Sequence, residues 1–481
     1  MLKAKLFLVS IASLLLVSNL GAQITLIPDV NFEKALIDLE IDSDGEINGS
    51  VLTSDIQQVT SLGVSGRAIA SLTGIQDFEL LQVLECQNNV LTSINIAENT
   101  GLEVLDCSSN QLSRLSVVSN EKLKSLKCSQ NSIAEIKVSD NTNLETLYID
   151  NNLIMTLNVK SNSNLKVLDC SHNQLSVLNI TYNWFLKYLD ISFNNLDLIS
   201  LINGVNLEYL NVSSNPLTIL NLISLTNLKT MHMVNNDLLP LIYFDNNRKL
   251  EYVSCHDNDV LSTIKIKGAD ALKYLNCSNN NLNELDTGQN LLLESLYCQN
   301  NQLSSLDLSL NTKLAFLKCD DNDLENLNIK NGQNILMTGG LTEYEGNITY
   351  IEGMSSMNNE KLQCINVDNE TAAQIGASPY ESWLKDDNTF YSEDCISVLA
   401  VEDHLNDNSV KMYPNPATES ICIVSEKQNI DRIIIYSILG NQAKEIQSGF
   451  INIALQDLKP GMYFIRIKLE NGSVFKRMIK Y

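Results

Sequence analysis

Leu102–Leu115 reads LEVLDCSSNQLSRL, one copy of the pattern L-x-x-L-x-C-x-x-N-x-L-x-x-L. Registered on its asparagine, the pattern returns at Asn89, Asn110, Asn131, Asn152, Asn173, Asn194, Asn215, Asn236, Asn258, Asn280, Asn301 and Asn322, twelve turns spaced by 21 residues with two spacings of 22. A fixed period of this length marks a stacked-repeat architecture. The central apolar residue (Leu105 in this copy, Leu84 to Leu317 across the array) and the residue two further on share one face of a short strand, and those faces stack into a core. An asparagine is tolerated beside that core only when its amide is bonded, so the twelve are expected to form a structural ladder that satisfies backbone groups in the turns. The second apolar set of each unit, such as Leu112, Leu115 and Val117, lacks a helical period. The far side of each coil is therefore expected to be extended.

These features predict a β-rich leucine-rich repeat solenoid over residues 81–329, curved, with a parallel sheet on its concave face, followed by a small antiparallel β-sandwich. Residues 23–80 are read as an N-terminal cap and an opening repeat. Asp29 is placed to cap a short helix whose Phe32, Ala35, Leu36 and Leu39 fall on one face, covering the first core layer. The opening repeat, about Val59–Phe78, carries Arg67 where the asparagine belongs, as terminal repeats often depart from the pattern. Between them Asp42-Ser43-Asp44-Gly45-Glu46-Ile47 has the look of a calcium loop. Counted from Glu40, however, its twelfth position is Val51 and supplies no bidentate carboxylate, so a polar turn is expected and no metal or other cofactor.

Residues 1–22 combine Lys3 and Lys5, the apolar run Leu6–Val17 and a small residue, Ala22, before Gln23: a secretory signal peptide, too short and badly flanked to count as a membrane span. No other apolar run reaches spanning length, so no transmembrane segment is expected. The chain of 481 residues has a formal net charge of −24 and a pI near 4.5, which argues against nucleic acid and anionic membranes as partners.

Cys86, Cys107, Cys128, Cys170, Cys255, Cys277, Cys298 and Cys319 all stand three residues before a ladder asparagine, where other turns carry Ile149, Ile191, Val212 and Met233. A position that accepts isoleucine and valine is a core position, so these thiols are read as small buried hydrophobes. In-register parallel strands suit neither a disulfide nor, without C-x-x-C spacing, a thiolate metal site. The residues flanking each central leucine point outward. The column before it changes from Val83, Val104, Ser125, Thr146 and Val167 to Tyr188, Tyr209, Thr230, Tyr252 and Tyr274; the column after it includes His232 and Tyr297. Tyr188, Tyr209, His232, Tyr252, Tyr274 and Tyr297 are the candidate ligand-binding residues on a concave face on the order of 55 Å long. Cross-strand aromatic packing is the structural alternative. His232, His256 and Asp257 lack a third well-placed metal ligand. With four histidines (His172, His232, His256, His404) and no H-E-x-x-H, phosphate-binding glycine loop or G-x-S-x-G elbow, no catalytic residue is assigned and an enzyme is not expected.

After Ile329 the register is lost, and residues 330–395 are read as an irregular C-terminal cap with at most one degenerate turn. Cys364 and Cys395 bound it, and in an exported chain they are expected to form a disulfide that clamps the open end. Residues 396–410 are a charged linker. From Lys411 short β-rich runs separated by Gly, Asn and Pro predict the sandwich. Its Tyr413-Pro414-Asn415-Pro416-Ala417 opening, Leu439-Gly440, Gly461-Met462-Tyr463 and basic Lys476-Arg477 resemble the C-terminal sorting domain of type IX secretion substrates of Bacteroidetes. The resemblance implies engagement of the type IX machinery by residues 411–481 and a protein released or displayed at the outer-membrane surface. Cys422 stands where such domains usually carry an aliphatic residue. Residues 27–395, with their IPDxNFEKAL opening and C-I-x-V-D-N exit, are similar to cysteine-bearing, internalin-like leucine-rich repeat surface proteins of the same bacteria, which implies binding and adhesion. The expected function is recognition of a protein or glycan on the concave face. The alternatives are a passive surface or spacer protein and a targeting scaffold for a separate hydrolase.

Overall fold

The computed structural model describes residues 23–344, 347–395, 410–425, 429–437, 442–469 and 472–481; the expected signal peptide and most of the expected linker lie outside the described residues. The chain divides into two compact units, with the boundary between Glu393 and Asp394.

The first unit is a solenoid built on a fifteen-stranded sheet that runs in chain order from Ser61–Gly63 to Leu384–Lys385. Neighbouring strands are parallel and in register, as where Leu105 faces Leu126 and Leu126 faces Leu147. The strands of the twelve repeats are three residues long and each buries its middle side chain, with Asp190 and Ser254 buried beside it in two of them. Leu102, Leu105, Cys107, Leu112, Leu115 and Val117 all turn inward, so one 21-residue coil supplies a whole core layer. The opposite side is extended: short strands such as Leu241–Tyr243 with Thr263–Lys265 and Ser305–Asp307 with Asn326–Asn328, and single bridges elsewhere.

The corner after each strand explains the asparagine. Asn110 Nδ2 donates to the carbonyls of Cys86 (3.1 Å) and Cys107 (3.0 Å), while its Oδ1 accepts the Leu91 N–H (3.0 Å). One amide thus stitches two coils together. The residue before it, Ser109, is left-handed (φ 53°), and the equivalent residue is left-handed in every repeat, through Asn88, Asn151, Asp257 and Asp321 among others. Asn236 departs from the expected ladder: its Nδ2 reaches only the Val234 carbonyl, and its Oδ1 is buried without a hydrogen-bond partner. The coil that follows is one of the two 22-residue ones, and the longer turn shifts the corner.

A second buried asparagine column runs along the edge where each coil returns to the sheet. Asn120 Nδ2 donates to the Ile96 and Asn99 carbonyls, Asn141 to those of Val117 and Asn120, and Asn162 to those of Val138 and Asn141.

At the N-terminal end, the helix Val30–Asp38 is capped by Asp29, whose Oδ1 accepts the N–H groups of Asn31 and Phe32. Its Oδ2 accepts those of Ala70 and Ser71, which ties the cap to the opening repeat. Phe32, Ala35 and Leu36 are fully buried; Leu39 is not, because it lies past the last helical residue and turns to solvent. Arg67 pairs with Asp38 of the helix at 2.6 Å.

At the other end the sheet does not stop where the sequence register is lost. An antiparallel hairpin, Gly340–Tyr344 with Asn347–Ile351, is inserted, and the coil then resumes with strand Met354–Ser356. Asn359 fills the ladder position, donating to the Cys319 and Ser356 carbonyls. Trp383, packed edge-on to Tyr380 and Tyr391, closes the last layer and donates Nε1–H to the Met337 carbonyl at 2.8 Å. Cys364 and Cys395 are disulfide-bonded. Cys364 opens a strand that pairs with Phe390–Ser392, so the bond clips the chain where it leaves the final coil.

The second unit has a three-stranded sheet (Val410–Tyr413, Ser420–Ser425, Ile453–Ala454) and a four-stranded one (Gln442–Ile446, Ile430–Ser437, Gly461–Leu469, Gly472–Lys480), both antiparallel. Alternating residues of both sheets, including Ile421, Ile423, Ile433, Ile435, Ile465 and Ile467, form its core.

Candidate binding surface on the concave sheet

Tyr188, Tyr209, Tyr252 and Tyr274 open their strands, whereas His232 and Tyr297 close theirs. The structure brings all six rings into one unbroken row. Tyr188 stacks on Tyr209 (centroids 4.4 Å apart, planes 6° apart) and Tyr252 on Tyr274 (4.3 Å, 4°). His232 bridges the two pairs, tilted at 5.5 Å from Tyr209 and 5.3 Å from Tyr252, and Tyr297 continues from Tyr274 at 5.6 Å. The cause is register: parallel strands set equivalent side chains about 4.8 Å apart, which is close to the stacking distance of two rings. Where the first column holds the small Thr230 or Ser295, the ring from the neighbouring column leans across to fill the row.

This geometry decides what the row can offer. The faces of Tyr188 and Tyr209, and of Tyr252 and Tyr274, turn toward each other along the solenoid axis. What these four leave for a ligand is chiefly ring edges and polar tips, while His232 and Tyr297 are tilted against their neighbours. Burial, then the neighbouring Tyr209, Asp190 and Asp169, holds the Tyr188 phenol well above its usual range; burial, then Asp190, pushes Tyr209 up to about 12. Both therefore stay protonated and can donate hydrogen bonds.

Two flanking columns carry charge. On one side Glu103, Lys124, Glu145, Lys166, Lys187, Glu208, Lys229, Glu251, Lys273 and Glu294 immediately precede successive strands. They form ion pairs across the strands: Lys124–Glu103 (2.6 Å), Lys229–Glu208 (2.7 Å) and Lys273–Glu251 (2.7 Å) among them. On the other side Asp169 and Asp190 face each other in register. Asp190 is buried and accepts from the Ser192 N–H, Ser192 Oγ and Asn211 Nδ2. Asp169 accepts from Ser171, yet burial raises its carboxyl to about 6. The ion-pair column was readable by applying the asparagine register to the residue before each strand. On the outer side, Val177, Leu198, Ile219 and Leu241 are four successive exposed aliphatics that the same reading would have found.

The remaining sequence candidates have structural places. The eight repeat cysteines are buried free thiols, and burial pushes Cys86 and Cys277 up to about 12, which leaves them unreactive. His256 bonds Asp257 at 2.6 Å, and His172 stacks on Phe193. His404 lies outside the described residues.

Residues 411–481 match the family described as the secretion system C-terminal sorting domain, and residues 206–228 match the leucine-rich repeat family. No curated protein matches the chain. Among solved structures, an internalin (InlF) of Listeria monocytogenes is similar at 20% identity, covering 62% of this chain and 90% of its own, with a TM-score of 0.56. The APL1 leucine-rich repeat domain is similar at 24% identity over 57% of this chain and 76% of its own, TM-score 0.51. The functional domain of InlJ from Listeria monocytogenes, described as including a cysteine ladder, covers 96% of this chain and 99% of its own at 21% identity, TM-score 0.49.

Proposed function

We propose that this leucine-rich repeat protein, directed by a type IX sorting domain to the cell surface or the extracellular space, is a non-enzymatic recognition protein that binds a protein partner on its concave sheet. The observation that carries the reading is the unbroken row of six rings, four of them stacked face to face in two pairs. Ring faces spent on one another are not free to lie against a sugar ring. Edges and phenol groups suit the mixed apolar and hydrogen-bonding surface of a polypeptide, on a backbone too rigid to pay much ordering entropy. Residues 1–22 would carry the chain to the first membrane, and adhesion is the expected use of the surface.

The same mutual stacking also supports a second reading, in which the row is a packing spine and the protein a passive spacer or a scaffold for a separate hydrolase. The discriminating experiment probes the purified secreted protein against panels of cell-surface proteins and of polysaccharides, beside Tyr209→Ala and Tyr252→Ala. Recognition through the row predicts a protein ligand whose affinity falls roughly 30-fold or more in each variant, the usual weight of a central aromatic anchor. A polysaccharide ligand lost in the same variants would overturn the choice of partner. Folded variants with unchanged binding would overturn the site.

A further inference from the structure

Among the described residues, two charged side chains are buried with carboxylate oxygens that have no hydrogen-bond partner, and both belong to the N-terminal cap. Glu33, on the helix Val30–Asp38, is 1% exposed. Its Oε1 accepts three backbone N–H groups, from Asn48 (2.8 Å), Gly49 (2.6 Å) and Ser50 (3.1 Å), while its Oε2 has no partner. Asp42 is 5% exposed, and neither of its oxygens makes a hydrogen bond of ordinary geometry; the Asp44 backbone N–H is the one group that eases its charge. Asp44, Glu33 and Asp55 add negative charge around it. The other buried unpartnered atoms are neutral amide or hydroxyl oxygens, for which such placement costs far less than for a carboxylate.

We propose that this cap holds a calcium ion, with Asp42 and Glu33 Oε2 as its carboxylate ligands. The loop that follows Asp42 is already shaped: Asp44 Oδ1 accepts the Glu46 N–H (2.8 Å), Asp44 Oδ2 accepts from Asn48 Nδ2 (2.8 Å), and Asp55 Oδ2 accepts the Ser43 N–H (3.1 Å). Oxygen donors without imidazole or thiolate select a hard cation, and an irregular loop suits calcium better than magnesium, which demands a near-ideal octahedron. Among the described residues no three ligand-type side chains converge. Two carboxylates completed by backbone carbonyls and water make a weak site, of the extracellular class with dissociation constants of roughly 10⁻⁴–10⁻³ M. The proposal reverses the expectation drawn from the loop's twelfth position. Val51 there is buried, and the missing carboxylate comes instead from Glu33, upstream on the helix.

The test is calorimetric titration of the full chelator-treated protein with calcium chloride, and thermal unfolding in calcium, in magnesium and in EDTA. The expected result is one saturable site per chain and a melting temperature raised by millimolar calcium more than by magnesium. D42N abolishes both, and in EDTA it melts no lower than the parent because a buried charge has gone. E33Q, whose amide oxygen can still accept the three loop N–H groups, binds calcium at least tenfold more weakly and covers the case in which D42N does not fold. No calcium-dependent shift in the parent, or a shift retained in E33Q, overturns the site. Neither outcome bears on the concave row.

Discussion

The concave sheet is one scaffold with two surfaces. From Val83 to Asp169 its outward residues are short or charged apart from Tyr148; from Tyr188 to Tyr297 rings stand on every strand, on strands of the same length, register and inner packing. Leu105 and Leu189 are both fully buried at equivalent positions. The difference teaches that core and surface vary independently in this architecture, because each coil buries its own layer and the concave column is free of that duty.

The largest expected effect is one that should not distinguish the two halves. Leu105→Ala and Leu189→Ala each delete a buried side chain in a tightly packed layer and should each destabilise by about 3 kcal/mol. Hydrogen exchange read coil by coil would check it, since repeat arrays open locally. A cost confined to Leu189 would break the comparison by making the aromatic row part of the scaffold's stability.

Next comes a titration that belongs to the junction between the halves. Asp169 has its carboxyl raised to about 6, chiefly by burial. The folded state therefore binds that proton more tightly than the unfolded chain, for which about 3.9 applies. Its burial is a penalty present in full above pH 6 and relieved as pH falls toward 4. Stability should rise on going from pH 7 to pH 5, by about 1–2 kcal/mol once the partial exposure of the group is allowed for. Asp169→Asn should gain a similar amount at pH 7 and lose this part of the pH dependence. Carbon-detected NMR titration of the carboxyl is the direct check.

A smaller effect tests whether the row is energetically one object. In a double-mutant cycle, Tyr188→Ala and Tyr209→Ala should couple by about 1 kcal/mol in stability, the usual worth of a stacked pair beyond its buried area. Val83→Ala with Val104→Ala, at equivalent positions in the first half, should be additive to within a few tenths. Equal coupling in both pairs would mean that stacking adds nothing to what adjacent strands already share.

Most of this was legible from the period of the chain. The buried columns, the extended outer side, the Asp29 cap and the outward placement of the tyrosines follow from which positions repeat. What escaped did so for local physical reasons. The sequence places His232 in the patch, but that its ring bridges Tyr209 and Tyr252 depends on the reach of an imidazole across the gap left by Thr230, and side-chain reach has no period. The second asparagine column was present at Asn99, Asn120, Asn141, Asn162 and Asn183, but Gly204, Leu225 and Ala269 interrupt it. The continuation of the sheet beyond Ile329 was hidden by the inserted hairpin, which displaces the next ladder residue to Asn359. The carboxylate of Glu33 in the cap loop lies outside any loop motif because a helix supplies it.

The smallest expected effect concerns the ion-pair column, which spans both halves without regard to their surfaces. Glu208 sits between Lys187 (3.5 Å) and Lys229 (2.7 Å), and the Lys229 ammonium holds its carboxyl below the usual range. These groups are exposed, so water and salt screen them and holding two long side chains together costs entropy. Lys229→Met should barely change the unfolding transition at physiological salt. The column matters for what it removes from the surface: paired lysines and glutamates cancel one another, so the field over the ring row comes from the opposite flank, where Asp169 and Asp190 stand without lysine partners in their strands. Lys229→Glu would break that cancellation in the middle of the row. If the partner carries positive charge, its association rate with this variant should rise at low salt and return to the parental value at high salt, while dissociation stays unchanged. A rate that falls instead would assign the partner the opposite charge and shift the recognised surface toward the lysine side of the rings.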